Sequence, residues 1–173
     1  MKKNIVLLVV LAVLAASAGM YLGAKNFSLA APQPAAVSHL FGQTLPDVSG
    51  TPQALSHWRG KALVVNFWAT WCAPCVEEMP ELTQLQQDLN GKNIQIIGIG
   101  IDTAANIAEF SSKLKISYPL YVAGMGGTDL FRLFGNQAGG LPFTVLLDAH
   151  GQIKKTYLGQ LKMDELRRDI AAL

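Results

Sequence analysis

Cysteine is scarce in this chain of 173 residues: it occurs twice, at positions 72 and 75. A disulfide framework is therefore excluded as the source of stability, because one pair three residues apart closes too small a loop to restrain the unfolded chain. Histidine occurs three times, at His39, His57 and His150, without the spacing by which side chains build a metal site. These read as ordinary surface or turn residues. Charge is also low, at 15% of residues, and no basic cluster is present to track a phosphate backbone, which argues against nucleic acid as a partner. Acids are missing from the N-terminal region, since all 12 lie at or beyond Asp47. From Ser38 onward 11 basic residues meet 12 acidic ones, so the formal charge of +2 comes from lysines near the N-terminus. No internal repeat is visible. With half of its residues hydrophobic, the chain is not a disordered, charge-rich one.

Part of that apolar content is not core. Behind Lys2 and Lys3, the 20 residues from Ile5 to Ala24 carry no charge, and Lys25 follows. As a helix rising ~1.5 Å per residue, such a run covers ~30 Å, the thickness of a bilayer's hydrocarbon. The lysines ahead of it orient its N-terminus to the cytoplasm. A signal-anchor over residues 1–24 is the expectation. A cleaved signal peptide is the alternative, because Ala16-Ser17-Ala18 resembles a small-x-small site. Either reading exports the remainder. Residues 25–37, with Ala30 to Ala36 rich in Ala and Pro, read as a linker, and 38–173 as one domain.

Within that domain strand and helix patterns alternate. Ala62 to Phe67 is a short apolar run that reads as a buried strand, and Ala73 to Asn90 as a helix ended by Gly91. Val76, Met79, Leu82, Leu85 and Leu89 form the inner stripe of that helix, and Pro80 should kink it. Ile94 to Ile101 reads as a central strand, and Thr103 to Lys115 as an amphipathic helix with Ile107, Phe110 and Leu114 inward. A short helix from Asp129 to Phe134 is expected next. Phe143–Leu147 and Gln152–Tyr157 are strands around a turn, and Asp164 to Leu173 a last helix. Thr44 to Ser56 suits a small hairpin. The succession specifies an α/β fold with a central mixed sheet flanked by helices.

The chemistry lies in Trp71-Cys72-Ala73-Pro74-Cys75. Cys72 stands just before the helix, where unpaired N–H groups and the helix dipole favour a thiolate. Cys75, one turn on, is placed to attack a mixed disulfide formed by Cys72. Pro74 suits the first turn, where no N–H is needed. Two thiols also supply half of a zinc or copper site, so a metal-binding or metal-delivery module is the reading from a different class. Gly139-Gly140-Leu141-Pro142, just before a strand, is either turn punctuation or a cis Leu141–Pro142 bond that brings the loop beside the cysteines.

Val64 to Cys75 (VVNFWATWCAPC) together with Leu141-Pro142 resembles the thioredoxin superfamily. More narrowly, the chain is similar to the membrane-anchored TlpA/ResA branch of bacterial thiol–disulfide oxidoreductases, over roughly Phe41 to Leu173. The resemblance implies a thioredoxin-like fold with an N-terminal hairpin extension and a redox-active Cys72–Cys75 pair, with no other cofactor. It makes Pro142 a cis-proline against the disulfide and the Leu141 backbone a support for a substrate strand, with Trp71 and Pro74 bordering the groove. It also implicates Glu78, three residues past Cys75, as a proton acceptor. The residues alone leave Glu78 open between that role and a solvated helix position, with Glu77 about a quarter-turn away. Trp68 reads as packing.

Two departures stand out. Thioredoxin itself has a buried aspartate where this chain has Asn66, and an amide takes up no proton. Phe143 follows the cis-proline where thioredoxins often carry threonine, so a reshaped groove is expected. The resemblance implies protein thiol or disulfide substrates and a membrane thiol-transfer protein as electron donor. Reduction, for cytochrome c maturation or disulfide repair, is the direction it favours, with disulfide-forming oxidation as the alternative. The place implied is the periplasmic or extracytoplasmic face of a bacterial membrane.

Overall fold

The computed structural model describes residues 33–173. The leader expected over residues 1–24 and the start of the linker lie outside the described residues. Among the described residues no helix is long and apolar enough to cross a membrane.

The domain opens with helix α1 (Gln33–Gly42), followed by the antiparallel hairpin β1 (Thr44–Pro46) and β2 (Pro52–Ala54) and a 3-10 turn at Leu55–Trp58. Then come β3 (Ala62–Trp68), α2 (Ala73–Asp88), β4 (Ile94–Gly100), α3 (Ala104–Leu114), β5 (Leu120–Val122), α4 (Gly127–Leu133), β6 (Phe143–Leu147), β7 (Ile153–Leu158) and α5 (Met163–Ala171). The main sheet runs β5-β4-β3-β6-β7, with β3, β4 and β5 parallel to one another and β6 antiparallel to both of its neighbours, β3 and β7. This is a thioredoxin-like α/β fold: a mixed sheet flanked by helices, with the expected hairpin at its N-terminal side.

Every residue of β3 is buried, as a strand covered on both faces requires. Its alternation assigns those faces. Phe67 packs against Phe131 and Phe134 at the α4 side, while Trp68 meets Phe110 of α3 and Asn66 bonds to Glu78 of α2. The crossovers β3-α2-β4 and β4-α3-β5 step the same way across the sheet. Their shared right-handedness puts α2 and α3 on one face. Tyr157 bonds Asp169 of α5 on that same face. Gly98 permits the layers to close: a Cβ there would lie 2.4 Å from Leu120 Cδ2 and 3.2 Å from Trp68 Nε1.

Three expectations need correction. Residues 33–37 are not linker but the first half of α1, which buries Ala36, Val37, Leu40 and Phe41 as a helical stripe. Pro34 stands in its first turn, where its missing N–H costs nothing. Arg59 lies over the Phe41 ring at 4.6 Å, tying α1 to the body. Second, β5 was not expected. It is only three residues long, and its outer edge is closed by a bridge from Asp47 to Tyr121 and by Trp58 Nε1 donating to Tyr121 OH at 2.8 Å. Third, Phe143 is only 4% exposed and points into the core against Phe67 and Phe131, so it does not reshape a groove. As the first residue of β6 it faces the α4 side. Helix α2, for its part, continues through Pro80 to Asp88.

If α1 belongs to the folded unit, Leu40→Ala should cost on the order of 2–5 kcal/mol, the usual range for truncating a fully buried leucine. Urea denaturation measures it, and an unchanged midpoint would return these residues to linker status.

Candidate active site

Strand β3 ends at Trp68, and three residues carry the chain to Cys72, the N-cap of α2. The turn is held by Cys72 N–H donating to Ala69 O at 3.2 Å and by Ile101 N–H donating to Trp68 O at 2.8 Å. Asp102 braces it from the end of β4: it accepts from the Thr70 hydroxyl, from Thr103 N–H at 2.6 Å and from Asn106 Nδ2 at 2.8 Å. Sequence reasoning missed Asp102. The signal was a lone acid closing an apolar strand, with Thr70 far away in sequence.

Cys72 and Cys75 form a disulfide, with S–S 2.01 Å and Cα atoms 5.3 Å apart. Cys75 is fully buried, whereas Cys72 retains 7% of its surface and the adjoining Trp71 retains 66%. The sulfur that a partner can approach is therefore that of Cys72. The first helical backbone bond here runs from Val76 N–H to Cys72 O at 3.1 Å, so the earlier N–H groups have no partner within the helix. On reduction, that end favours a thiolate on Cys72. Pro74 occupies the first turn, as expected.

The Leu141–Pro142 bond is cis. Because β6 is antiparallel to β3 with Phe143 opposite Phe67, the loop before β6 reaches the same end of the sheet as the cysteine turn. Pro142 is buried and Leu141 half-buried. Asn136 braces the loop from within, donating Nδ2 to Gly140 O at 2.8 Å and accepting Gly139 N–H at 3.1 Å. It too was missed, hidden among the turn-forming residues after α4.

Glu78 is 1% exposed, which removes the solvated-helix reading. Its Oε1 accepts Asn66 Nδ2 at 2.8 Å and its Oε2 accepts Leu161 N–H at 2.9 Å. Burial pushes its carboxyl up to about 7, against these two donors, and the negative charge of Glu81 adds to the rise. Helical spacing sets Glu78 one turn from Cys75. Glu77 by contrast is exposed and accepts Gln160 Nε2 at 3.2 Å. Tyr118 is buried nearby, and burial together with the Glu78 charge raises its phenol.

A buried carboxyl next to a cysteine pair can take and return a proton while sulfur–sulfur bonds exchange. No cluster of His, Cys, Asp and Glu able to hold a metal occurs among the described residues. A cavity of about 460 Å³ lined by Asp47, His57, Trp58, Tyr118 and Tyr121 contains neither cysteine.

The model of the family described as Redoxin matches residues 24–172. The thiol-disulfide oxidoreductase ResA of Geobacillus thermodenitrificans is 27% identical over 130 residues, covering 75% of this chain and 72% of that protein. Among solved structures, a DsbF homologue from Corynebacterium diphtheriae shows 27% identity and a TM-score of 0.66 over 76% of this chain and 83% of that one. A thiol:disulfide interchange protein of the thioredoxin family from Chlorobium tepidum shows 26% identity and a TM-score of 0.64, over 75% and 94%.

The raised Glu78 carboxyl has a consequence for stability. Between its ordinary 4.5 and about 7 the folded protein holds a proton that the unfolded chain has released. Stability from this group is thus complete below pH 4.5 and falls as pH rises towards 7, by on the order of 3 kcal/mol. Denaturation of the oxidised protein across that range should show the slope, and Glu78→Gln should flatten it. An equal slope in both proteins would mean that Glu78 ionises normally.

Proposed function

Since this chain belongs to the Redoxin family and closes a disulfide between Cys72 and Cys75, it is a thiol–disulfide oxidoreductase, and we propose that it works outside the cytoplasm as a reductase of protein disulfides. The observation that carries the direction is the buried Glu78 carboxyl one helical turn from Cys75. A strongly oxidising pair owes its potential to a stabilised reduced form. A carboxylate beside the pair opposes a neighbouring thiolate, destabilises the reduced form and lowers the potential. The pair is thereby a better donor of electrons than acceptor.

In the reductive cycle the Cys72 thiolate attacks one sulfur of a substrate disulfide. The Cys72–substrate bond forms, and the substrate's other sulfur leaves as a thiolate. Cys75 gives its proton to Glu78 and attacks Cys72, breaking the mixed disulfide. The substrate ends with both thiols reduced, and the protein with the Cys72–Cys75 disulfide and both electrons given up. Trp71, Pro74 and the Leu141–Pro142 loop border the approach to Cys72 and hold the substrate strand there. Re-reduction requires a dithiol donor, for which a membrane thiol-transfer protein is the fitting class. Cytochrome c maturation and disulfide repair are the uses that suit such a reductase. The uncharged run Ile5–Ala24 behind Lys2 and Lys3 supports an N-terminal anchor that keeps the domain on the outer face.

Measurement of the pair's potential against glutathione tests the direction. A value near or below ~−270 mV is expected, and one near ~−120 mV would make the protein an oxidase. Fractionation should recover the protein in washed membranes; a soluble form beginning near Gly19 would leave export without an anchor. For the sulfurs, Cys75→Ser should accumulate a mixed disulfide through Cys72, and Cys72→Ser should not. Equal trapping by the two variants contradicts the assignment. Glu78→Gln should slow resolution of the mixed disulfide by roughly 10²-fold and alter its pH profile, with exposed Glu77→Gln as the control. Matching stopped-flow profiles for the two would remove Glu78 from the proton path.

A further inference from the structure

Asn66 stands at the centre of the polar layer under α2. Both hydrogens of its Nδ2 are used, one on Glu78 Oε1 at 2.8 Å and one on Thr144 Oγ1 at 3.0 Å. Its Oδ1 is buried and has no partner among the described residues. The other carboxyl oxygen of Glu78 accepts Leu161 N–H. In this arrangement each of these neighbours of the carboxyl is a donor, which suits the ionised form better than the protonated one. A proton added to Oε1 on the side of Asn66 would set O–H against N–H. Yet an acid that takes a proton from Cys75 has to be held in both states.

We propose that the Asn66 side-chain amide turns over as Glu78 gains and loses its proton, so that Asn66 and Thr144 act as positioning residues for both charge states of the carboxyl. The proposal rests on the reading of Glu78 as the proton acceptor of Cys75. A half-turn about the Asn66 Cβ–Cγ bond exchanges Oδ1 and Nδ2. Oδ1 then accepts the Glu78 O–H and the Thr144 O–H, the hydroxyl having reversed from acceptor to donor. The amide makes two hydrogen bonds in either orientation, and one end lacks a protein partner in either. The exchange is thus close to balanced apart from the charge on Glu78. In the step it serves, the Cys75 S–H bond breaks and a Glu78 O–H bond forms, with no electrons transferred.

Other buried polar atoms lie on the face of the sheet that carries Asn66. Gly98 pairs with Asn66 across the strands, and a Cβ on it would lie 3.2 Å from Trp68 Nε1 and 3.3 Å from Tyr118 Cε2. Trp68 Nε1 and Tyr118 OH are themselves buried without a partner among the described residues. The titratable groups facing Glu78 are Cys75 and Glu81 on its own helix and Tyr118 from the segment before β5. Strands β3 and β6 and the segment before α5 present the neutral Asn66, Thr144 and Leu161 N–H.

The test is nuclear magnetic resonance of the oxidised full-length protein carrying labelled Asn66 and Glu78 side chains. The two Asn66 Nδ2 proton signals should shift with the same midpoint as the Glu78 carboxyl carbon, and Glu78→Gln should abolish their pH dependence. Signals that stay fixed while the carboxyl titrates overturn the proposal. Asn66→Leu gives a second reading. A fixed donor stabilises the anion alone, and its loss should raise the Glu78 midpoint by about one to two pH units. A turning amide supports both states, so its loss should raise the midpoint by less than about one. A rise near two therefore counts against it. Neither readout depends on turnover. If Glu78→Gln leaves resolution unchanged, the proton-transfer reading falls, while the titration of Asn66 still decides this one.

Discussion

A carboxyl group placed beneath a helix, away from water, has to find a partner for each oxygen, and in this protein that requirement joins three distant parts of the chain. Glu78 comes from α2, Asn66 from the central strand β3, and the Leu161 N–H from the segment before α5. The last bond spans 83 residues. An unpaired buried carboxylate would be far more costly than the bonds themselves are stabilising. The position of α2 over β3, and hence of both cysteines at its N-terminus, is coupled to the closure of the C-terminal part of the domain. Residue 78 is thus a structural constraint before it is a chemical one.

The redox turn is fixed at its other side by groups that take no part in sulfur chemistry. Asp102 anchors Thr70 from the end of β4, and Asn136 anchors the Gly139–Gly140 segment from the end of α4. The antiparallel pairing of β6 with β3 then delivers Pro142 to the end of the sheet where Cys72 stands. Two loops meet at one edge, each tied by a short polar side chain. A partner protein approaching Trp71 therefore meets a rim whose backbone is already held, which limits the ordering that binding has to impose.

Much of this was legible in the residues, and what was not has physical reasons. Central strands covered on both faces read as unbroken apolar runs, so β3 and β4 were plain, and Cys72 and Cys75 declared themselves by spacing at a helix start. Helix α1 was hidden because alanine and proline, which mark a linker by composition, also suit a short helix whose stripe is Ala36, Val37, Leu40 and Phe41. Strand β5 was hidden by its length and by the preceding Pro119. Phe143 was misplaced because a strand's first residue faces one side or the other according to register, and register is set by β3, far away in sequence. For Glu78, helical spacing gave the neighbourhood of Cys75 but not the burial. That depends on Leu161, which no local pattern connects to it.

The amide at position 66 and the acid at position 78 are better understood together than apart. Thioredoxin itself carries an aspartate where this chain has Asn66. With Glu78 already 2.8 Å from that side chain, a second carboxyl there would give two acids in one dry site. They would share a single proton, and the second ionisation would be driven far up. The neutral amide removes that conflict and leaves one titrating group. It also supplies both a donor and an acceptor to the same carboxyl, which an aspartate could do only by being protonated itself. The buried acid is supplied here by the helix that carries the cysteines rather than by the strand. Its place one turn from Cys75 is then set by helical geometry alone.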